Sequence, residues 1–271
     1  MNDTVNDVDA ITGASVSCLM VTLPVPERLT MARRSIDDFC RQTLANKTLI
    51  VVINGGVQPV REALRGYIAT LNRHDIYIVE PPGVLNLGQL RNISLEAASG
   101  DIVCQWDDDD RFHPDRLQKQ AAVLIENALE AVYLQEVMQY FPEKRALFWT
   151  NWHATPALAH PGTLMAQRSA LLRYPTQGDA ARLGEDLELA RALIKRNRVG
   201  YLGGMPHLYV YVSHGANSWN DGHHAMLRDQ LAISRALLLR REPQIRAGLA
   251  PYGFSESNVT VFGSNGEAFV L

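Results

Sequence analysis

Four consecutive aspartates at positions 107–110 are the residues of this sequence best suited to chemistry. They directly follow the apolar run 102–106, which is typical of a buried strand. If the chain stays extended, the two-residue period of a strand points Asp107 and Asp109 one way and Asp108 the other. Two carboxylates on one side can bind a hard divalent cation such as Mg²⁺ or Mn²⁺, which prefers oxygen ligands.

The elements around this run predict a mostly parallel sheet flanked by helices, because apolar strand-like runs alternate with segments of helical spacing. The helix before the aspartates should end at Gly100, a typical C-terminal stop. The expected strands cover residues 16–22, 49–53, 76–79, 102–106, 199–203 and 207–213, with hairpins over 131–149 and 259–271. The expected helices cover residues 27–43, 88–98, 185–196 and 222–241.

Three polar residues stand at the carboxyl ends of strands of this sheet, namely Thr22, Asn54 and Asp107. Ligands on such sheets bind beyond the carboxyl ends of the strands, so these separate segments should converge on one rim. The alternative for the aspartates is a solvated turn that caps a helix near Pro114, since Asp favours turns and helix starts. Convergence on one rim favours the cation site.

Composition excludes several other classes of protein. The chain has 271 residues, a hydrophobic fraction of 46% and a formal charge of −3, which suits one α/β domain and no nucleic-acid partner. Three scattered cysteines argue against a disulfide framework or a thiolate metal site. The first fifteen residues are polar and acidic, and no apolar run reaches the length of a membrane span. We therefore expect a cytoplasmic protein.

Several motifs occur in an order that resembles the family-2 glycosyltransferases with the GT-A fold. The resemblance covers about residues 16–196. The matching motifs are Val21-Thr-Leu-Pro-Val-Pro-Glu-Arg-Leu29, Arg91-Asn92, Gly100-Asp101 with the apolar strand after it, the aspartates at 107–110, and Gly184-Glu-Asp186.

The resemblance implies inverting transfer of a sugar from a nucleotide-diphosphate-sugar to a hydroxyl acceptor, with Mn²⁺ or Mg²⁺ as cofactor, in polysaccharide or glycoconjugate synthesis. Asp186 would be the general base, supported by Glu185. The acceptor would be a saccharide or a lipid-linked saccharide. UDP is the default donor nucleotide, although Ile53-Asn54 stands where the family usually has an Asp pair, and Leu23 stands where it usually has Tyr.

The resemblance also assigns binding roles. The residues expected near the nucleotide-sugar are Thr22, Leu23, Glu27, Asn54, Arg91, Asp107 and Asp108. Asp109 would be the main cation ligand, joined by Asp107 and His214, although His214 could equally be a turn histidine. Trp152, Gly162 and Thr163 would face the acceptor, and a place in the core is the alternative for Trp152.

The expected organisation is a flexible tail over residues 1–14, a GT-A domain over 15–242 and a C-terminal extension over 243–271. The domain would divide into a nucleotide-binding half, about 15–115, and an acceptor half, about 116–242. The last helix could lie on a membrane surface, although a stripe that faces the core explains it more simply. Two other functions stay open: a catalytically inactive nucleotide-sugar sensor or scaffold, and a nucleotidyltransferase, which is disfavoured because no glycine-rich phosphate loop follows the first strand.

Overall fold

The computed structural model describes residues 13–196, 198–217 and 219–271, so the expected tail lies almost wholly outside the described residues. The strands are β1 Val16–Thr22, β2 Lys47–Ile53, β3 Ile76–Val79, β4 Ile102–Gln105, β5 Arg111–Phe112, β6 Ala131–Leu134, β7 Glu136–Phe141, β8 Ala146–Asn151, β9 Met165–Gln167, β10 Val199–Leu202, β11 Tyr209–Val212, β12 Thr260–Gly263 and β13 Gly266–Val270. The helices are α1 Pro26–Cys40, α2 Gln58–Thr70, α3 Leu87–Ala97, α4 Arg116–Glu126, α5 Glu185–Ile194, α6 Asp221–Leu231 and α7 Arg235–Leu249.

The larger sheet is mixed and mostly parallel, as the alternation of strands and helices predicts. Over the described ranges its seven strands run in the order β10-β6-β9-β4-β1-β2-β3. β3, β2, β1 and β4 are mutually parallel neighbours, while β9 lies antiparallel between β4 and β6. The strand order therefore reverses beside β1 and β4, the place where such sheets bind ligands.

Both faces of the central strands β1, β2 and β4 are buried, which explains their near-continuous apolar runs. Along β1, Cys18 and Met20 pack on one face with Phe39 of α1, and Leu19 packs on the other with Leu90 of α3. Because side chains alternate along a strand, each helical layer receives every second residue. This packing fixes the position of the strand ends that carry the polar residues.

A second sheet of six strands lies in the order β13-β12-β8-β7-β11-β5, counted over the described residues. Helix α7 packs on it through Leu238, Ile245 and Leu249, which share a core with Val261 and Phe269 of the terminal hairpin. The apolar stripe of this helix thus faces the core. No helix in the described part of the chain combines the length and the apolar character needed to span a bilayer.

The hairpin expected over residues 131–149 is confirmed only for β7 and β8, because this segment supplies both sheets. β6 belongs to the larger sheet, whereas β7 pairs with β8 in the smaller one. The chain changes sheets at Gln135, whose N–H donates to the carbonyl of Leu202 at 3.0 Å and whose carbonyl accepts from Trp152 N at 2.8 Å. Apolar alternation shows which residues are buried, but it does not show which sheet a strand joins.

Two expected helix boundaries are also wrong. The long helix over 222–241 is two helices, because Ala232 is extended and pairs with Thr150 of β8, and Ser234 caps the start of α7. Helix α3 ends at Ala97 rather than at Gly100. Gly100 serves a close approach instead, since a Cβ there would lie 2.8 Å from the backbone nitrogen of Ser17.

Candidate active site

The ends of β1, β2 and β4 meet at one rim of the larger sheet. β1 and β2 pair in register, with Thr22 opposite Ile53, and β4 pairs with β1 on the other side. The hydroxyl of Thr22 donates to Asp108 Oδ2 at 2.6 Å, although 86 residues separate the two in sequence. The rim expected from the strand ends is therefore present in the structure.

Exposure alternates along the four aspartates, as it does along a strand. The side chains of Asp107 and Asp109 are 20% and 14% exposed, whereas Asp108 and Asp110 are each 2% exposed. The two more accessible carboxylates thus alternate with two buried ones. A solvated acidic turn would expose all four carboxylates, so the burial of Asp108 and Asp110 excludes that alternative.

Arg28, in the first turn of α1, forms ion pairs with two of these carboxylates. Its guanidinium forms an ion pair with Asp108, and its Nη2 lies 3.0 Å from Asp109 Oδ2. Burial raises the pKa of Asp108, and the charge of Arg28 counteracts that rise. The same guanidinium donates from Nη1 to the carbonyl of Ala216 at 2.9 Å, which joins the loop after β11 to the aspartates.

Asp110 has a structural task. It accepts a hydrogen bond from the hydroxyl of Tyr209 and another from Val212 N at 2.8 Å, both in β11. Strand β5, which begins at the next residue, also pairs with β11. Burial and the neighbouring aspartates raise the pKa of Asp110 well above its ordinary value. The fourth carboxyl therefore connects the acidic run to the second sheet.

His214 lies against Asp109, with Nε2 3.3 Å from Asp109 Oδ2. Its Nδ1 accepts a hydrogen bond from Ala216 N at 3.1 Å, and its Nε2 also lies 3.2 Å from Asn217 Nδ2, so Nε2 hydrogen-bonds to Asp109 beside a second polar neighbour. Burial alone would raise the pKa of Asp109, but this hydrogen bond and the charge of Arg28 lower it to about 2. In this arrangement His214 orients Asp109, and its role as a cation ligand stays a prediction.

Arg91 joins the acidic run to the start of α5. Its Nη2 donates to Asp107 Oδ1 at 2.9 Å, and its Nε donates to Glu185 Oε1 at 2.7 Å. Arg91 and Glu185 are 8% and 3% exposed, so both charges are buried and compensate each other. The arginine expected near the donor thus holds two acidic segments in a fixed relation.

Asp186 follows Glu185 in the first turn of α5 and is partly accessible. Burial and the adjacent charge of Glu185 raise the pKa of Asp186 to about 7, against the opposing charge of Arg91. One of its oxygens accepts from Leu187 N at 2.7 Å. A carboxyl with a pKa near neutrality can accept a proton in one state and release it in the other, which is what general base catalysis needs.

A cavity of about 370 Å³ opens between these groups. The expected site residues that line it are Arg91, Asp107, Asp108, Asp109, Trp152, Gly162, Glu185 and Asp186. The expected site residues outside its lining are Thr22, Leu23, Glu27, Asn54, Thr163 and His214. Of these, Thr22 and His214 contact the aspartates, whereas Leu23 and Glu27 are exposed on the surface beside the rim.

The side chains of Asn54 and Thr163 form hydrogen bonds with the main chain. The Asn54 amide donates to the carbonyls of Pro81 and Gly83, and its oxygen accepts from Leu85 N. Asn54 therefore anchors the loop after β3, a task that an ionised aspartate, which lacks donors, could not perform. The Thr163 hydroxyl is fully buried and donates to the carbonyl of His160 at 2.6 Å, so its side chain is part of the core.

The chemistry of the lining fits a divalent cation shared with a substrate diphosphate. Six carboxyl groups, at positions 107–110, 185 and 186, face two guanidinium groups, at positions 28 and 91. An anionic diphosphate would be repelled by this excess unless a cation accompanied it. Among residues 13–196, 198–217 and 219–271, no cluster of three or more His, Cys, Asp or Glu side chains could hold a metal alone. One or two carboxylates plus phosphate oxygens are the usual ligands of Mg²⁺.

The residues that line the cavity but were not expected at the site include Arg28 and Trp219. Arg28 lies within the first matching motif, but its partners are 80 residues away, and nothing in the local spacing indicates them. Trp219 lies shortly after His214, and its exposure to solvent could not be inferred from the sequence. The only signal in the sequence was an aromatic residue close to a His-Gly turn.

Comparisons with known proteins show what the chain is similar to. The family model described as Glycosyl transferase family 2 matches residues 21–181. The O-antigen biosynthesis glycosyltransferase WbnJ of Escherichia coli is 33% identical over 102 residues, which are 36% of this chain and 38% of WbnJ. The chain thus spans well under half the length of that curated relative.

Solved structures show the same fold at low sequence identity. S. aureus TarS 1–349 in complex with UDP-GlcNAc superposes with a TM-score of 0.58 at 15% identity, over 87% of this chain and 66% of that one. The mannosyltransferase PcManGT of Pyrobaculum calidifontis, in complex with GDP-Man and Mn²⁺, gives 0.56 at 16% identity, over 88% and 64%. Another TarS structure is covered over 37% of its chain, with a TM-score of 0.55 at 16% identity.

Proposed function

Because this chain belongs to glycosyl transferase family 2 and has the GT-A fold, we propose that it is an inverting, cation-dependent enzyme. It transfers a sugar from a UDP-sugar to a hydroxyl acceptor. The donor nucleotide follows the TarS complex with UDP-GlcNAc. A saccharide or lipid-linked saccharide acceptor follows the role that the name of WbnJ gives to that relative, O-antigen biosynthesis.

The observation that carries this proposal is the bridge made by Arg91. It hydrogen-bonds to Asp107 of the acidic run and to Glu185, the neighbour of Asp186. The carboxylates suited to a diphosphate-bound cation and the carboxyl suited to proton transfer therefore line one cavity. A reaction that removes a proton at one end and releases a diphosphate at the other needs this arrangement.

The reaction is a single displacement. Asp186 takes the proton of the acceptor hydroxyl as its oxygen attacks the anomeric carbon of the donor sugar. The new bond forms between that oxygen and the anomeric carbon, and the bond from the anomeric carbon to the diphosphate oxygen breaks with its electron pair. Attack from the face opposite the leaving diphosphate inverts the configuration. Glu185, held by Arg91, raises the pKa of Asp186 and so makes it a better base.

Asp109 and Asp107 would hold the cation, and His214 would orient Asp109. When bound, the cation supplies positive charge that stabilises the departing diphosphate. Arg28 already pairs with Asp109, so it lies beside the same carboxylate and keeps it ionised. The proposed organisation keeps the donor half at about residues 15–115, the acceptor half at about 116–242, and an extension at 243–271.

The test is a thermal-shift screen of UDP, GDP and their sugars, each with and without Mn²⁺, followed by a hydrolysis assay of any donor that binds. A ligand that binds only the folded protein raises its melting temperature by mass action. We expect UDP-sugars to do so only with Mn²⁺ and to be hydrolysed slowly. Binding without any turnover would favour the sensor or scaffold, and absence of binding by every nucleotide would refute the proposal.

A further inference from the structure

Trp219 is a solvent-accessible aromatic residue in the wall of the cavity. Its side chain is 40% exposed and lines the cavity together with Asp186. The imidazole of His223 stacks on one face of the indole, with ring centroids 4.3 Å apart and an interplanar angle of 21°. A support on one face leaves the other available for a ligand.

Trp219 lies close to the segment that carries the proposed base. Its Cζ2 lies 4.0 Å from the place where a Cβ of Gly184 would be, and Gly184 directly precedes Glu185 and Asp186. The backbone carbonyl of Trp219 accepts a hydrogen bond from His224 Nε2 at 3.0 Å, which fixes the residue to the start of α6. The indole is therefore both anchored and adjacent to the segment that carries the base.

The lining of the cavity includes apolar side chains as well as charged ones. Leu183, Leu187, Pro156 and Leu227 line the same cavity and are apolar. The charged residues that suit a diphosphate are Arg28, Arg91 and the aspartates. A ligand with an apolar face and hydroxyl groups suits the aromatic wall, because aromatic rings bind apolar C–H surfaces while the hydroxyls keep polar partners.

Trp152, by contrast, cannot serve as an open platform. It is 6% exposed, and its Nε1 donates to Thr150 Oγ1 at 3.0 Å. The edge of His160 packs on it at a centroid distance of 4.4 Å. The indole of Trp152 is thus enclosed in the core, and Trp219 is the most exposed of the described aromatic residues that line this cavity.

We propose that Trp219 is the platform on which the pyranose ring of the acceptor stacks, so that a ring hydroxyl faces Asp186. This inference rests on the proposed function and adds the acceptor class, a pyranoside with an exposed apolar face. The stacked ring restricts the orientation of the nucleophile, which is the entropic part of catalysis. His223 supports the platform from behind.

A first test uses the fluorescence of the chain itself. Of its four tryptophans, Trp106, Trp149 and Trp152 are 0%, 5% and 6% exposed, so a collisional quencher such as acrylamide reaches mainly Trp219. A panel of methyl and p-nitrophenyl pyranosides is added in the presence of UDP and Mn²⁺. Protection of the fluorescence by at least one pyranoside is expected. Unchanged quenching with every member, while UDP and Mn²⁺ still raise the melting temperature, would overturn the inference and leave the proposed function standing.

A second test separates acceptor from donor binding with the pyranoside that protects best. Trp219→Ala should raise the acceptor KM about tenfold, the loss expected for an aromatic contact of about 1.4 kcal/mol. Trp219→Phe should recover most of that loss. The donor KM is measured as well, because a merely structural role of Trp219 would change the donor KM too. Tyr77→Ala is the matched control, because Tyr77 is 50% exposed on β3, outside the cavity lining.

The outcomes identify which idea fails. An unchanged acceptor KM in Trp219→Ala would overturn the platform, and so would donor and acceptor KM values that rise together. Absence of Mn²⁺-dependent donor binding in the wild-type protein would instead refute the proposed function.

Discussion

Replacement of Asp186 by Asn should abolish transfer and stabilise the fold at neutral and alkaline pH. Asn has nearly the shape of Asp but cannot accept the proton of the acceptor, and loss of a general base costs about 10²–10⁴-fold in rate. The same change removes a carboxyl whose pKa is raised to about 7 by burial and by Glu185. One substitution therefore has opposite effects on activity and on stability.

The size of the stability effect follows from the shift in pKa. An unperturbed aspartate titrates near pH 4, so the shift is about three units, and each unit corresponds to about 1.4 kcal/mol. Because the pKa is higher in the folded state, the cost of ionisation is absent below about pH 4 and complete above about pH 7. Asp186→Asn should thus raise the free energy of unfolding by at most about 4 kcal/mol at about pH 8. Partial solvent access reduces this figure.

The assay is urea denaturation of both proteins at about pH 4 and about pH 8, combined with initial rates of transfer. Glu188→Gln is the control, since Glu188 lies on the same helix, outside the cavity lining, and is 48% exposed beside Arg191. We expect the control to behave as the wild type. Near wild-type turnover in Asp186→Asn would refute the base assignment, and a stability difference that is the same at both pH values would refute the raised pKa.

Three further predictions concern the same region. The rate of wild-type transfer should rise with pH through about 7, because Asp186 accepts a proton only when ionised, and a profile that is flat from about pH 5 to 9 would contradict this. Arg91→Met should lower the free energy of unfolding by about 3–5 kcal/mol and reduce turnover, because it leaves the buried carboxylate of Glu185 without its ion-pair partner and removes the hydrogen bond to Asp107. Wild-type stability in urea denaturation together with wild-type initial rates would show that the bridge is dispensable. Gly88→Ala should lower the melting temperature, because the added Cβ would overlap the carbonyl oxygen of Pro175. Gly66→Ala, in open space on α2, is its control and should stabilise by about 1 kcal/mol, and equal melting temperatures would contradict the argument.

The strands that build the rim could be predicted from the sequence, because buried parallel strands have a distinctive pattern. β1 and β3 begin and end where the apolar runs do, and β2 and β4 differ from their runs by two residues or fewer. The exposure of the aspartates alternates as expected, although β4 ends at Gln105 and the chain bends over residues 108–110. The apolar pattern of a segment was therefore sufficient to predict a strand whose bounds depend on that segment alone.

Features that depend on distant segments could not be predicted in this way. The partners of Arg28 and the division of residues 131–149 between two sheets both rest on contacts made far along the chain. The break between α6 and α7 arises because Ala232 pairs with β8, a tertiary contact that overrides the helical spacing. Helix α2 was missed although its apolar spacing is helical, since Val60, Leu64 and Ile68 recur every four residues.

Asp110 has a consequence for protein engineering. Because its carboxyl is held by Tyr209 and Val212, the acidic run and β11 are interlocked across 99 residues of sequence. A chimaera that took its first 115 residues from one relative and the remainder from another would separate this carboxyl from the strand that was selected to receive it. The two parts of the molecule therefore cannot be exchanged freely between relatives. A change of donor preference should be sought by substitutions within the intact chain.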